Sequence, residues 1–442
     1  MKLSAHCDVM DSNPTANRTL EDLRMSVAGL YERNACEGYS PLEDAHYCYV
    51  KPSPKKYPFQ WFWDTFFHVF VLTSMGMNEV AQRNIRSLFL LQRDDGFVGH
   101  MIFWKRVFPT HLWDVLQAHP TWRQLRPHMS AVLQPCFAAQ ALERLQTAQP
   151  DPMFVGEMLP SIESYIEYVW LERRIEESGL LSIISPVESG MDYKPSFDGE
   201  LGCKDCGHGK LLYRSATRAD LRNFLRGYDV DRIRNARGSF IVQETTFNVA
   251  FALDLLALAR LERAAGQHEE AAITEERASR LQAAIFEHLY DPEREAFFDH
   301  ARGTRIPVLT VTTFFPLALP DCPAAIADRV LQRYFDDPAS FALPYPLPTV
   351  PQSEPSFLQE DTWFLWRGPT WMMPNWLVHR ALCTRGDRAR AERLLRSSFA
   401  LIERGGFREY YDPITGEGRG ERDFTWAGLV LDMQRTHNEH FG

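Results

Sequence analysis

The sequence predicts an all-α fold, an (α/α)6 toroid made of six helical hairpins and carrying two long loops. Three observations predict it. Apolar residues recur at helical spacing in twelve segments that run nearly end to end. Short turns such as MGMN at 75–78 and TRGD at 384–387 join neighbouring segments into antiparallel pairs. LYDPEREAFFD at 289–299 and YYDPITGEG at 410–418 echo one another, each an aromatic–Asp–Pro turn after a helix, as an internally repeated barrel would leave.

The predicted helices are 19–35, 61–76, 78–92, 130–146, 153–177, 240–265, 267–288, 307–318, 323–335, 370–385, 387–404 and 425–437. Asn78 is read as an N-cap, as is Thr19 or Asn17 for the first helix. Short β pieces are expected within 290–300 and 407–415. The stretches 185–239 and 338–369 are read as loop insertions in one domain spanning 1–442. Connections of that length inside a compact domain are usually functional.

Composition narrows the function. The 442 residues carry a net charge of −10, which disfavours nucleic acid, because neutralising phosphates needs a basic surface. No apolar run is long enough to span a membrane, and the amino terminus lacks the apolar stretch of a secretory signal. The eight cysteines are scattered and form no dense framework, so a cytoplasmic, reducing setting is expected. The sequence does not set the oligomeric state, and no cofactor is expected.

Four segments combine aromatics, carboxylates and turn residues as a core would not require: YPFQWFWDTFFH (57–68), SPVESGMDYKPSFD (185–198), DTWFLWRGPTWMMPNW (361–376) and FREYYDPITGEG (407–418). With Trp426 they hold seven of the 11 tryptophans. Flat rings beside Asp, Glu and Arg suit a small carbohydrate, whose C–H face packs on a ring while its hydroxyls bond to polar groups. The plainer alternative is a Trp-rich core, and Trp371 and Trp376, five apart, fit that for at least one of the pair.

These segments resemble the (α/α)6-barrel glycoside hydrolases of the trehalase and processing α-glucosidase clan. The likeness is strongest to bacterial mannosylglycerate hydrolase-like enzymes of the glycoside hydrolase family 63 type. QWFWDTFFH, ESGMD, WRGPTW and FREYYDPITG match four family patterns in family order, over residues 57 to 426. The resemblance implies an inverting glycosidase in which Asp192 is the general acid and Glu409 the general base. Such chemistry needs one protonated carboxyl at the leaving oxygen and one carboxylate for water, roughly 6.5–9.5 Å apart. The resemblance also implies that Asp64 contacts the sugar. Trp61, Trp63, Gln134, Tyr193, Arg367, Trp371, Tyr410 and Trp426 are expected to complete the binding surface, Gln134 by way of a Gln-Pro that lines the pocket in smaller family members.

The bland readings stand beside these. Asp192 would cap a turn, Glu409 would sit solvated at a helix end, and Asp64 would be a buried carboxylate paired with an Arg or His68. Relatives commonly have Asn and then Ser or Ala where this chain has Tyr193 and Lys194. Gly99-His100-Met101 replaces a usual Pro-His-Met, and the double Pro after Gln134 is lost. These departures bear on the substrate rather than the chemistry.

Residues 202–237 hold nine Lys or Arg against four Asp. Arg214, Arg218, Arg222 and Arg226 fall every four residues, which reads as a solvated helical face or as attraction for an anionic aglycone such as glycerate. Family likeness implies that an Arg from this region binds the glycerate carboxylate, with activity that weakens as salt rises. Cys203, Cys206 and His208 make half a metal site, and free thiols are the expected state, because zinc needs a fourth ligand. Two further functions fit the same barrel. One is a sugar epimerase or isomerase, which would rely on histidines such as His68, His100 and His379. The other is a sugar-binding protein without catalysis.

Overall fold

The computed structural model describes residues 20–41, 44–104, 129–203, 209–357 and 366–442. The α-helices among the described residues are α1 Leu20–Asn34, α2 Phe62–Ser74, α3 Asn78–Phe89, α4 Ala138–Ala148, α5 Pro152–Arg173, α6 Gly209–Leu225, α7 Val230–Arg234, α8 Thr245–Ala264, α9 His268–His288, α10 Ala324–Val330, α11 Met372–Thr384, α12 Arg388–Gly405 and α13 Leu429–Phe441.

Burial explains the layering. Every residue of α2 is buried, as expected of a helix enclosed on all sides. In α12 one stripe is buried, Ala391, Leu394, Leu395, Ser398, Leu401 and Ile402, at the 3–4 residue spacing of a helix with one wet face. Six inner segments pack in a closed ring: α2, α4, α8, the 3-10 segment Val311–Ala318, α11 and α13, which returns to α2. Pro316 lies within the 3-10 member. The outer helices α3, α5, α9, α10 and α12 pack on the inner members that precede them, and α1 lies by the turn Thr425–Gly428. This is the (α/α)6 toroid, with one core cluster running from α1 to α13.

The β content among the described residues is peripheral, in five two-stranded antiparallel pairs. Ala35–Ser40 (β1) pairs with Ala45–Val50 (β2), and Gln60–Trp61 (β3) with Met101–Ile102 (β4). Tyr290–Asp291 (β5) pairs with Ala296–Phe297 (β6), and His300–Ala301 (β7) with Thr304–Arg305 (β8). Arg408–Tyr411 (β9) pairs with Gly418–Arg422 (β10) across a register shift between Arg419 and Arg422.

Several local expectations change. Asn78 is the first helical residue of α3 rather than its cap, and its amide donates to Gln149 Oε1 (2.8 Å). Thr19 and Asn17 fall outside the described residues. The helix expected from 130 starts at Ala138, and the one expected at 240 starts at Thr245. The stretch 185–239 contains helices α6 and α7. Trp371 precedes α11 as its N-cap, while Trp376 lies inside it.

One buried ion pair ties the chain before the acid segment. Arg173, at the end of α5, reaches Glu188 through Nη1 (3.0 Å) and Nη2 (2.7 Å). Glu188 also accepts from the backbone amides of Leu133 (2.8 Å) and Ile184 (2.7 Å). With both side chains out of water, losing one partner strands the other. Glu188→Ala should therefore cost about 3–5 kcal/mol, read as a lowered urea midpoint with unchanged slope.

Candidate active site

The sequence-predicted residues gather where inner segments begin. Trp61, Trp63 and Asp64 surround the start of α2, Gln134 precedes α4, Trp371 caps α11, and Trp426 lies in the turn leading α13. Helix N-termini carry partial positive charge, so the same end of the barrel suits carboxylates and sugar oxygens.

Glu409 lies on β9 and is buried. Its carboxylate accepts from Tyr57 Oη (2.6 Å), from Lys56 Nζ (3.1 and 3.3 Å) and from the amide of Glu421 (2.9 Å). Such a set of donors matches a carboxylate, which only accepts. The last bond needs backbone to approach closely. Gly420 has φ +66°, and a Cβ there would meet Glu409 Oε2 at 2.6 Å, so a side chain at this strained position would push Glu409 aside.

Asp192 follows a tight turn and is partly accessible. Burial of its carboxyl pushes its pKa up to about 7, against the nearby Lys56 charge and its own backbone amide, which hold it down. The Tyr57 phenol feels Glu409, Asp192 and Asp64 together. Lys56 and Tyr57 therefore link the two expected catalytic carboxyls, which lie 217 residues apart in the chain.

The turn bearing Asp192 is built with care. Gly190 has φ +68°, and a Cβ would overlap the Trp63 ring at 2.2 Å. Tyr193 also takes a positive φ, 59°, a conformation that costs a non-glycine residue energy and clusters at functional sites. Arg367 clamps this turn: Nε donates to the Tyr193 carbonyl (2.9 Å), and Nη1 (2.9 Å) and Nη2 pair with Asp198. Lys194 is buried between Glu244 and Asp299, 2.8 Å from the latter. Its partners hold it to their own anchors, Glu244 capping α8 through Phe247 N (2.7 Å) and Asp299 accepting from Ser196 Oγ (2.6 Å).

Asp64 is buried and, among the described residues, pairs with neither an Arg nor His68. It accepts from Trp426 Nε1 (2.6 Å), and burial lifts its pKa to about 7. Gln134 Oε1 accepts from the Trp63 amide (3.1 Å), fixing the start of α2. Trp371 stacks on Trp366 at 4.0 Å and lies 5.3 Å from Tyr410 and 5.6 Å from Trp426. The Thr370–Tyr411 bridge, with amide bonds of 2.9 Å in both directions, brings those segments together. Trp61 stands against Tyr57 and His100, and its buried Nε1 lacks a partner among the described residues. Trp376 belongs to the core, against Phe67 and Phe70, and donates to Asp432 (2.8 Å).

Other expectations resolve differently. Arg214, Arg218 and Arg222 are exposed on α6, whose buried face, including Leu212, packs on Tyr193. The solvated-face reading fits these three. Cys203 is disulfide-bonded and not the expected free thiol; 204–208 lie outside the described residues. That bond runs against a fully reduced cysteine set, while Cys36, Cys48, Cys136, Cys322 and Cys383 are free and buried. His68, His100 and His379 are buried, which drives each pKa down to about 3. A groove of about 1090 Å³ lined by Trp170, Arg174, Arg234, Gln243 and His300 contains none of the expected site residues. Lys56 carried no sequence signal; its neighbourhood to the QWFWD segment was the one available clue.

Fold and carboxyl-bearing aromatic end together define a helical-barrel glycoside hydrolase. A family profile described as the mannosylglycerate hydrolase MGH1-like glycoside hydrolase domain matches residues 57–427, and the chain belongs to that family. It is 30% identical over 420 residues to a mannosylglycerate hydrolase of Thermus thermophilus, covering 88% of this chain and 97% of that one. It is 24% identical over 417 residues to a glucosylglycerate hydrolase of Mycolicibacterium hassiacum, covering 86% and 92%. The structure of a family 63 mannosylglycerate hydrolase from Thermus thermophilus in complex with glucose superposes with a TM-score of 0.78 at 26% identity, covering 93% of this chain and all of that one. A neutral trehalase from Saccharomyces cerevisiae shares the fold, with a TM-score of 0.61 at 16% identity over 94% of this chain and 80% of that one. No helix among the described residues is long and apolar enough to cross a membrane.

Two variants test the geometry. Gly420→Ala should displace Glu409 and lower kcat about 100-fold, since misplacement by about 1 Å costs that much, while circular dichroism stays unchanged. Lys56→Met removes a charge that holds the Asp192 pKa down. The high-pH limb of kcat/KM should then move to higher pH, measured by initial rates across pH 5–9.

Proposed function

We propose that this chain hydrolyses an α-glycoside of glycerate, a mannosyl- or glucosylglycerate, with inversion at the anomeric carbon. The observation that carries the chemistry is the unlike setting of two carboxyls around Tyr57 and Lys56. Asp192, with its pKa raised to about 7 by burial, can hold a proton at neutral pH, as a general acid must. Glu409, met by three donors, suits a general base. Relatives named as mannosylglycerate and glucosylglycerate hydrolases support the substrate class.

In this reading the sugar lies over the Trp61, Trp63 and Trp426 end, with its hydroxyls reaching Asp64. Asp192 gives its proton to the glycosidic oxygen as the bond from that oxygen to the anomeric carbon breaks. A water gives a proton to Glu409 and its oxygen bonds the same carbon from the opposite face. Asp192 ends ionised and Glu409 protonated, and solvent restores both. Asp64, its own pKa lifted to about 7 by burial, holds the sugar hydroxyls beside the oxocarbenium-like transition state. Because Asp192 must be protonated, kcat/KM should fall as pH rises through about 7.

The test follows the anomeric proton by NMR with mannosylglycerate, glucosylglycerate, trehalose and kojibiose. The first product formed from a glycerate glycoside should be the β-anomer of the free sugar; α-anomer first would rule out inversion. Asp192→Asn should lose about 10²–10⁴-fold on the glycerate glycoside but retain turnover of the matching glycosyl fluoride, whose leaving group needs no proton. Glu409→Gln should lose both. Equal loss by Asp192→Asn on the two substrates would remove the acid assignment.

A further inference from the structure

The catalytic groups gather where inner helices begin; a second convergence of chemical groups lies where two of them end. His379 and Cys383 are one turn apart in the last half of α11, and His437 is on α13, near its end. Their donor atoms all lie within 4.8 Å of one another, and theirs is the convergence of three such residues found among the described residues. Asp64, Trp371 and Trp426 sit at the other ends of the inner helices, and α11 alone is about 20 Å long at 1.5 Å per residue.

We infer that His379, Cys383 and His437 form a site for a thiophilic divalent metal ion, zinc by chemical class, that staples α11 to α13. Four features carry it. First, the donor set is right: two imidazoles and one thiol suit zinc and its neighbours in softness, and disfavour magnesium or calcium. Second, the spacing is right. Ligands at 2.0–2.3 Å from a tetrahedral ion stand about 3.5 Å apart. The His379 ring nitrogens already lie 3.6 and 3.8 Å from Cys383 Sγ, and the remaining gaps close by about an ångström. Third, one donor is unspent: among the described residues the buried His437 Nδ1 has no hydrogen-bond partner, an unfavourable state that a metal would relieve, while His379 and Cys383 bond only weakly to one another. Fourth, a helix C-terminus carries partial negative charge, which favours a cation; two helices present that end here.

His440, one turn beyond His437 on the same helix and close enough for its charge to be felt by His379 and His437, is a candidate fourth donor. Its Nδ1 is engaged with the Thr436 carbonyl (2.9 Å), which leaves Nε2 for the ion, with water as the alternative fourth ligand. Burial holds His379 neutral, so no proton competes there. Burial also keeps the Cys383 thiol protonated, its pKa pushed up to about 12. Binding must therefore expel that proton: the S–H bond breaks, a metal–sulfur bond forms, and one proton passes to solvent for each ion bound. The site is distinct from the hydrolytic chemistry, and its expected consequence is thermal resistance rather than rate.

Cobalt(II) is the probe, because its spectrum reports both geometry and sulfur ligation. The metal-stripped full-length protein, titrated with Co²⁺, should show one equivalent of intense tetrahedral visible bands and a near-ultraviolet thiolate charge-transfer band. Zinc should bleach both. Cys383→Ser should abolish the charge-transfer band, and His437→Gln should weaken binding at least tenfold. Zinc should raise the melting temperature of the wild-type protein but of neither variant, while turnover at 25 °C stays unchanged in both. A cobalt spectrum without a thiolate band, or one that survives Cys383→Ser, would overturn the assignment. Both variants keep side chains of similar size, and if either unfolds, the wild-type spectrum alone still decides.

Discussion

The proposed chemistry asks two carboxyls of nearly the same intrinsic acidity to behave differently around one Lys–Tyr pair, and the structure dresses them unequally. Glu409 receives a phenol, an ammonium and a backbone amide. Asp192 is given burial with little compensation, beyond the Lys56 charge and its own amide. The difference is not a property of either residue but of what stands around it. Lys56 and Tyr57 are the hinge of the arrangement, because the same pair touches one carboxyl and is felt by the other.

Holding that inequality explains much of the surrounding architecture. In the ESGMD segment each residue type has its own task. Glu188 binds Arg173 and two amides and so moors the chain. Gly190 lets the backbone pass the face of Trp63. Asp192 then emerges on a turn secured from below by Lys194 and from the side by Arg367. Around Glu409, Gly420 brings a strand close, and the Thr370–Tyr411 bridge sets Trp371 beside Tyr410. The barrel supplies what these loops lack, a ring of fully buried helix starts that does not yield.

What was legible in the sequence follows from the same physics. Outer helices such as α12 advertise themselves by a single apolar stripe, and an inner helix such as α2 by being apolar throughout. Over helix α6 the sequence reads as loop because charged positions dominate its pattern, while its buried face is built from small or polar residues such as Ala216, Ala219, Asp220 and Asn223. The hairpin of β1 and β2 escaped because its strands are short and mixed in polarity. At the site, carboxylates and tryptophans were visible as a composition that a core does not require. Their partners were not. Nothing local to Lys56 foretells a contact with Glu409, and nothing in WRGP tells that Arg367 would grip a carbonyl and Asp198 instead of pointing free. Such pairings join segments far apart in the chain, so they exist only once the toroid has closed.

The account depends most on Asp192 keeping its proton near neutrality while Glu409 does not supply the signal. Isotope-edited infrared difference spectroscopy of aspartate-labelled protein, comparing wild type with Asp192→Asn, reads this directly. The predicted result is a protonated carboxyl component that titrates with a midpoint near pH 7 in the wild type and is missing from the variant, whose remaining band comes from other buried aspartates such as Asp64. An Asp192 carboxyl already ionised at pH 5 would contradict it.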